Sequence, residues 1–175
     1  MDTTAKEKRR EKVVAEFFKH LMAIHSGKVE AIDKMLTLWD DEGVVKLIGL
    51  YPYAGEFVGI NAISVLYHNV ARSAGMPVKL KDSKMKATLG PRKFEIESIQ
   101  SVGDKVVATW RTEITTKEKV GFEMSGGDTF FFNGDKISRD MCTMSTRPAG
   151  IKGFNLENLS VNDIGRLALA AWAVV

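Results

Sequence analysis

The sequence predicts one α+β domain, with three helices first, then a run of long antiparallel strands, then a C-terminal helix. Three observations carry this reading. Apolar residues recur at three- and four-residue spacing as far as Ala74. From Lys93 onward the spacing becomes two. Asn133-Gly134-Asp135 is a strong hairpin signal between two alternating segments.

The first helix is expected over Lys6 to Ser26, where Val13, Phe17 and Leu21 and then Val14, Phe18 and Met22 make one broad apolar stripe. Gly27 closes it. A second helix is expected over Lys28 to Trp39, with Val29, Ile32, Leu36 and Trp39 on one face. Asp40-Asp41-Glu42-Gly43 reads as a turn into a β-branched strand from Val44 to Leu50. Tyr51-Pro52-Tyr53-Ala54-Gly55 breaks that strand, and Phe57-Val58 suits a short one. The third helix is expected from Asn61, as N-cap, to Ala74, with Gly75 and Pro77 ending it. Strands are then expected over Lys93 to Val102, Lys105 to Thr116, Val120 to Phe132 (kinked at Gly126-Gly127) and Lys136 to Ser145, joined as a meander. Ser160 with Asp163 has the spacing of a capping box for a last helix. Residues 1–147 are expected to form the body, and 148–175 an arm that packs on it, on a partner, or as a lid.

Length and composition narrow the function classes. A chain of 175 residues with 45% hydrophobic and 27% charged residues can bury a core of its own. A formal net charge of +3 is too mild to argue for nucleic acid. The longest apolar run, Leu167 to Val175, is well short of the roughly 20 residues a membrane span needs. Cys142 is the only cysteine, which suits a reducing compartment. With no signal-peptide pattern after Met1, a cytoplasmic location is expected. His20 and His25 lie five apart on the first helix and so on different faces, and no phosphate or dinucleotide loop occurs. No metal, cofactor, nucleic acid or membrane partner is expected.

The order helix, helix, strand, helix and then long antiparallel strands resembles the nuclear-transport-factor-2-like superfamily over roughly Val13 to Ser145. Asp40-Asp41-Glu42-Gly43-Val44-Val45, Glu56-Phe57-Val58-Gly59-Ile60 and Phe130-Phe131-Phe132-Asn133-Gly134-Asp135-Lys136-Ile137 are the similar phrases. The resemblance implies a curved antiparallel sheet wrapped around helices, leaving a conical apolar pocket. Its enzymes include ketosteroid isomerases, scytalone dehydratases, SnoaL-like polyketide cyclases and limonene epoxide hydrolases, and its non-enzymes include transport and association domains. Such cones commonly pair through the sheet, so a homodimer is expected. Limonene epoxide hydrolases carry Arg-x-Asp on one strand and a second Asp on the last. Here Arg111-Thr112-Glu113 puts Glu in place of Asp, and Arg139-Asp140 puts the second acid early, the family position falling on Cys142. The paired histidines of scytalone dehydratases are unmatched, His68 alone lying in the right half of the chain.

Arg111, Glu113 and Asp140 form the sharpest candidate constellation. Residues two apart on a strand share a face, so Arg111 and Glu113 point together. Inside an apolar cone a carboxyl would ionise late and could carry a proton near neutral pH. The competing reading is that Val106, Ala108, Trp110, Thr112 and Ile114 form the inner face, leaving Arg111 and Glu113 outside. Asp140 shares parity with Cys142 and Met144, an inward mixed face. Tyr51 and Tyr53 could present a phenol to an oxyanion. His68 is a weaker candidate base, Cys142 reads as a small buried hydrophobe, and Asp128 reads as a turn residue after Gly126-Gly127.

The expected function is a cofactor-independent isomerase, dehydratase or cyclase moving a proton on a small apolar, polyketide- or terpenoid-like molecule. The alternatives are an epoxide hydrolase, a carrier of hydrophobic ligands, and an association domain that dimerises through the even-numbered face around Trp110 and Ile114.

Overall fold

The computed structural model describes residues 3–48, 55–72, 77–79, 86–116 and 121–147. The helices are α1 (Thr3–His25), α2 (Glu30–Leu36) and α3 (Ile60–Arg72). The strands are β1 (Trp39–Ile48), β2 (Gly55–Val58), β3 (Pro77–Lys79), β4 (Lys86–Val102), β5 (Lys105–Thr116), β6 (Gly121–Asn133) and β7 (Lys136–Arg147). Among the described residues they form one sheet of order β2-β1-β7-β6-β5-β4-β3. The C-terminal arm, Tyr51 and Tyr53 lie outside the described residues.

The helices bury their stripes against one face of the sheet. Val14, Phe17, Phe18, Leu21 and Ile24 of α1 are buried, whereas Met22, expected in the stripe, is exposed at its margin. Ile63, Leu66, Tyr67 and Val70 are the buried face of α3. Phe17 sits at the centre of an edge-to-face cluster, 5.1 Å from Phe130, 6.1 Å from Trp39 and 6.3 Å from Tyr67 between ring centroids. Such pairs each add about 1 kcal/mol to the area they bury.

Parity then sorts the sheet. Val106, Ala108, Trp110 and Thr112 are buried, as are Asp128, Phe130, Asp140, Cys142 and Met144. Glu95, Glu97, Arg111, Glu113 and Arg139 face outward. Trp110 is therefore core, which corrects the expectation that its face is an association surface.

Four elements differ from the sequence reading. The second helix ends at Leu36, and Trp39, expected on its face, begins β1. Asp40-Asp41-Glu42-Gly43 is a bulge inside β1, not a turn. Pairing with β7 passes from Trp39↔Ile137 directly to Val44↔Arg139. Gly43 is needed there, since a Cβ would stand 2.8 Å from Trp39 Cε3 and 2.9 Å from the Asp40 carbonyl oxygen. α3 begins at Ile60, so Asn61 lies in its first turn instead of capping it. β4 begins at Lys86, and the irregular register between Leu89 and Arg92 accommodates Gly90-Pro91 inside a strand.

The sheet is mixed. β4 to β7 form the expected meander, but β1 runs parallel to β7. Alternation in a sequence reports which side chains share a face and is silent on the direction of a neighbour that no hairpin supplies.

Candidate functional site

Two long strands bring two carboxyl groups together on the inner face. Across β6 and β7, Asp128 stands opposite Cys142 and Phe130 opposite Asp140. Asp128 and Asp140 are therefore diagonal neighbours, within reach of each other on one side of the sheet. Both are buried, with 4% and 2% of their surface exposed. The small Ala108 opposite Asp128 on β5 leaves the carboxyl room.

Each neighbour has a definite role. The Trp110 indole N–H donates to Asp128 Oδ2. The Cys142 thiol and the Asp140 carboxyl stand close enough to Asp128 to act on its ionisation. Two buried carboxyl groups this close repel when both are charged, which favours keeping a proton on one of them. The Asp140 Oδ1 atom is buried with no hydrogen-bond partner in the structure.

Burial makes each of these acids ionise later. Asp128 is pushed up to about 6 by burial, against which the bonds from Trp110, Cys142 and Asp140 act. Asp140 is raised well above the carboxylate range, first by burial, then by the charge of Asp128 and its bond to it. Burial likewise pushes up Tyr67 and Cys142, and the charges of the two acids add to it. Near neutral pH the cluster therefore holds one negative charge, on Asp128, ringed by the protonated Asp140, Cys142 and Tyr67. This separates a base from an acid within one hydrogen bond.

Of the residues singled out from the sequence, Asp140 lies in this cluster. Arg111 and Glu113 do not. They lie on the opposite face, corrected from lining the interior, because Trp110 and Thr112 take the inward parity. Arg111 has a side chain 51% exposed and binds Glu95 Oε2 through Nε and Nη2 at 3.0 and 2.8 Å. His68 is half-buried, with Nδ1 2.9 Å from the Ser64 carbonyl oxygen one turn back. It follows Tyr67 on α3 and so points roughly 100° away from it around the helix axis.

Asp128 is the member that sequence reading assigned to a turn. Gly126-Gly127 does not turn the chain: both residues pair in register on both sides, with Trp110 and Thr109 on β5 and with Met144 and Thr143 on β7. Parity with Phe130, two residues on, was the signal available. No group of three or more His, Cys, Asp or Glu side chains suited to a metal ion occurs among the described residues. No described helix is long and apolar enough to cross a membrane.

Several solved structures resemble this one. An LEH-like epoxide hydrolase from M. tuberculosis superposes with a TM-score of 0.53 and 12% identity, covering 93% of this chain and 95% of its own. A candidate SnoaL-like polyketide cyclase from Jannaschia sp. CCS1 gives 0.57 and 10% identity over 83% and 91%. An NTF2-like protein from Burkholderia xenovorans LB400 gives 0.52 and 13% identity over 79% and 91%. At these identities the likeness establishes the fold and assigns no residue a role. No protein-family model matches the sequence, and no curated protein matches it.

Proposed function

Starting from the nuclear-transport-factor-2-like cone fold that this chain adopts, we propose that it is an acid–base enzyme acting on a small, largely apolar, carbonyl-bearing molecule. One observation carries the reading: two carboxyl groups buried side by side on the inner face, with Asp140 Oδ1 lacking a partner. Asp128 serves as base and Asp140 as acid. Asp128 takes a proton from carbon beside the carbonyl, the C–H electron pair moves onto the carbonyl oxygen, and the Asp140 O–H stabilises the charge that develops there. Where the substrate is a β,γ-unsaturated ketone, Asp128 then returns its proton at the γ carbon of the dienolate, the double bonds shift into conjugation with the re-formed carbonyl, and the product is an isomer. If the adjacent carbon instead carries a hydroxyl, Asp140 protonates it as it leaves, and the same pair performs a dehydration. Burial supports the role because charge in a dry site is not dispersed by water.

Epoxide opening is the second reading, favoured by the match to the LEH-like hydrolase over most of both chains. There Asp128 would activate a water and Asp140 would protonate the epoxide oxygen.

A panel of enones, β-hydroxyketones and epoxides, assayed with the wild-type chain, separates the two readings by which class turns over. Asp128→Asn and Asp140→Asn are each expected to lower turnover by about 10²–10⁴-fold. Glu113→Gln, on the outer face, should leave it unchanged. Full activity in both Asn variants would refute the acid–base role.

A further inference from the structure

Trp110 occupies an unusual place beside the pair. On β5 it stands directly opposite Gly126 of β6, two residues before Asp128. A Cβ on Gly126 would overlap the indole at Cζ2 and Cε2 and also the Thr143 carbonyl oxygen. The indole therefore lies across the β6 backbone at a point where any side chain would exclude it. On β4, Phe94 stacks on the indole, with centroids 5.3 Å apart and planes inclined at 26°. Held by Phe94 and seated over Gly126, the ring directs Nε1 at Asp128 Oδ2. The donation is asymmetric, since Asp140 Oδ1 has no donor.

We propose that Trp110, seated over Gly126, is a positioning residue that fixes the negative charge on Asp128 and so leaves the shared proton on Asp140. The inference rests on the acid–base reading for its catalytic meaning, but the proton bias itself is measurable without a substrate. A neutral ring of the same shape would pack equally well but bring the two carboxyls closer to equivalence. The donor breaks that symmetry, because a hydrogen bond to an ionised acceptor is stronger than one to a neutral acceptor. The other titratable groups facing Asp128 among the described residues are Asp140 and Cys142 from β7 and Tyr67 from α3. Cys142, opposite Asp128 on β7, also favours its charged form, so removing Trp110 is expected to weaken the bias without reversing it.

The test is carboxyl-carbon NMR titration of wild-type, Trp110→Phe and Gly126→Ala chains with labelled aspartate. Trp110→Phe keeps a ring against Phe94 and deletes the donor. Its Asp128 midpoint should rise by about one pH unit, narrowing the gap to Asp140, while Asp40, in the β1 bulge, stays put. Gly126→Ala keeps the donor but displaces it, and should narrow the gap in the same direction. In the wild-type chain, the Trp110 indole proton should shift with the Asp128 midpoint, a readout that survives if either variant fails to fold. An unchanged gap in folded Trp110→Phe would overturn the proposal, as would an indole resonance indifferent to the titration. The two readings fail separately. Loss of turnover in Asp128→Asn with no change of gap in Trp110→Phe removes only the positioning role. A narrowed gap in a chain that turns over none of the panel removes only the enzyme reading.

Discussion

Asp128 and Asp140 make the interior of this protein sensitive to pH in a direction opposite to that of its surface. Both ionise later in the folded chain than in the unfolded one. A carboxyl raised in this way favours folding below its unfolded value, and that advantage is lost as pH rises through its folded value. For Asp128 the window runs from 3.8 to about 6. Asp40 and Glu56 are shifted the other way, Asp40 by its bond from Asn133 and Glu56 by its bond from Lys46. Their contribution fades only as pH falls through the lower values, so it adds little slope above about pH 5. Urea unfolding should therefore show stability declining from about pH 5 to 7 in the wild-type chain. Asp128→Asn should flatten that slope and be about 1–2 kcal/mol more stable at pH 7, because it removes a buried charge while keeping an acceptor for Trp110. An unaltered slope in Asp128→Asn would contradict the assignment. Asp140 was legible in the sequence because Cys142 and Met144 share its parity. Asp128 was hidden because two consecutive glycines before it read as a break, when the first instead makes way for an indole that the sequence pairs with it only through the register of two strands.

At the scale of elements, Arg10 ties the start of α1 to two hairpin turns at once. Its Nη1 donates to the Asp104 carbonyl oxygen at 3.0 Å and its Nη2 to the Gly134 carbonyl oxygen at 3.1 Å, and its guanidinium lies 4.9 Å from the Phe132 ring centroid. Arg10→Ala should cost about 2–3 kcal/mol in chemical denaturation, and Arg10→Lys should recover little, since one ammonium cannot reproduce the planar fork. A loss below about 0.5 kcal/mol would show that the turns hold α1 without it. The contrast is Arg111, whose ion pair with Glu95 lies in solvent. Arg111→Ala should change stability by at most about 1 kcal/mol. Helices and long strands were readable because a stripe or an alternation persists over many residues in Val14 to Ile24 or Lys105 to Thr112. The start of β1 was not, because acidic residues and a glycine serve a bulge as well as a turn, and only the partner strand decides between them. Pro91 hid the first half of β4 for the same reason.

Over the whole molecule, the sheet order β2-β1-β7-β6-β5-β4-β3 is what makes the site. It places Asp128 and Asp140, the buried acids of β6 and β7, near the middle of the sheet, under Tyr67 of α3 and beside Trp110 of β5. The helix–sheet architecture could be read from the change of apolar period, whereas the parallel pairing of β1 with β7 could not, since no turn in the sequence joins them. The charged outer face also follows from this arrangement: with Trp110 inside, Glu95, Glu97, Arg111 and Glu113 are among the residues that β4 and β5 offer to solvent. The most direct test of a buried, proton-sharing pair is carboxyl-carbon NMR titration of Asp128 and Asp140 in the wild-type chain. The expected result is a midpoint of about 6 for Asp128 and a clearly higher one for Asp140. Two independent midpoints near the ordinary value of about 3.9 would mean solvated carboxylates, and the acid–base reading would fall with them.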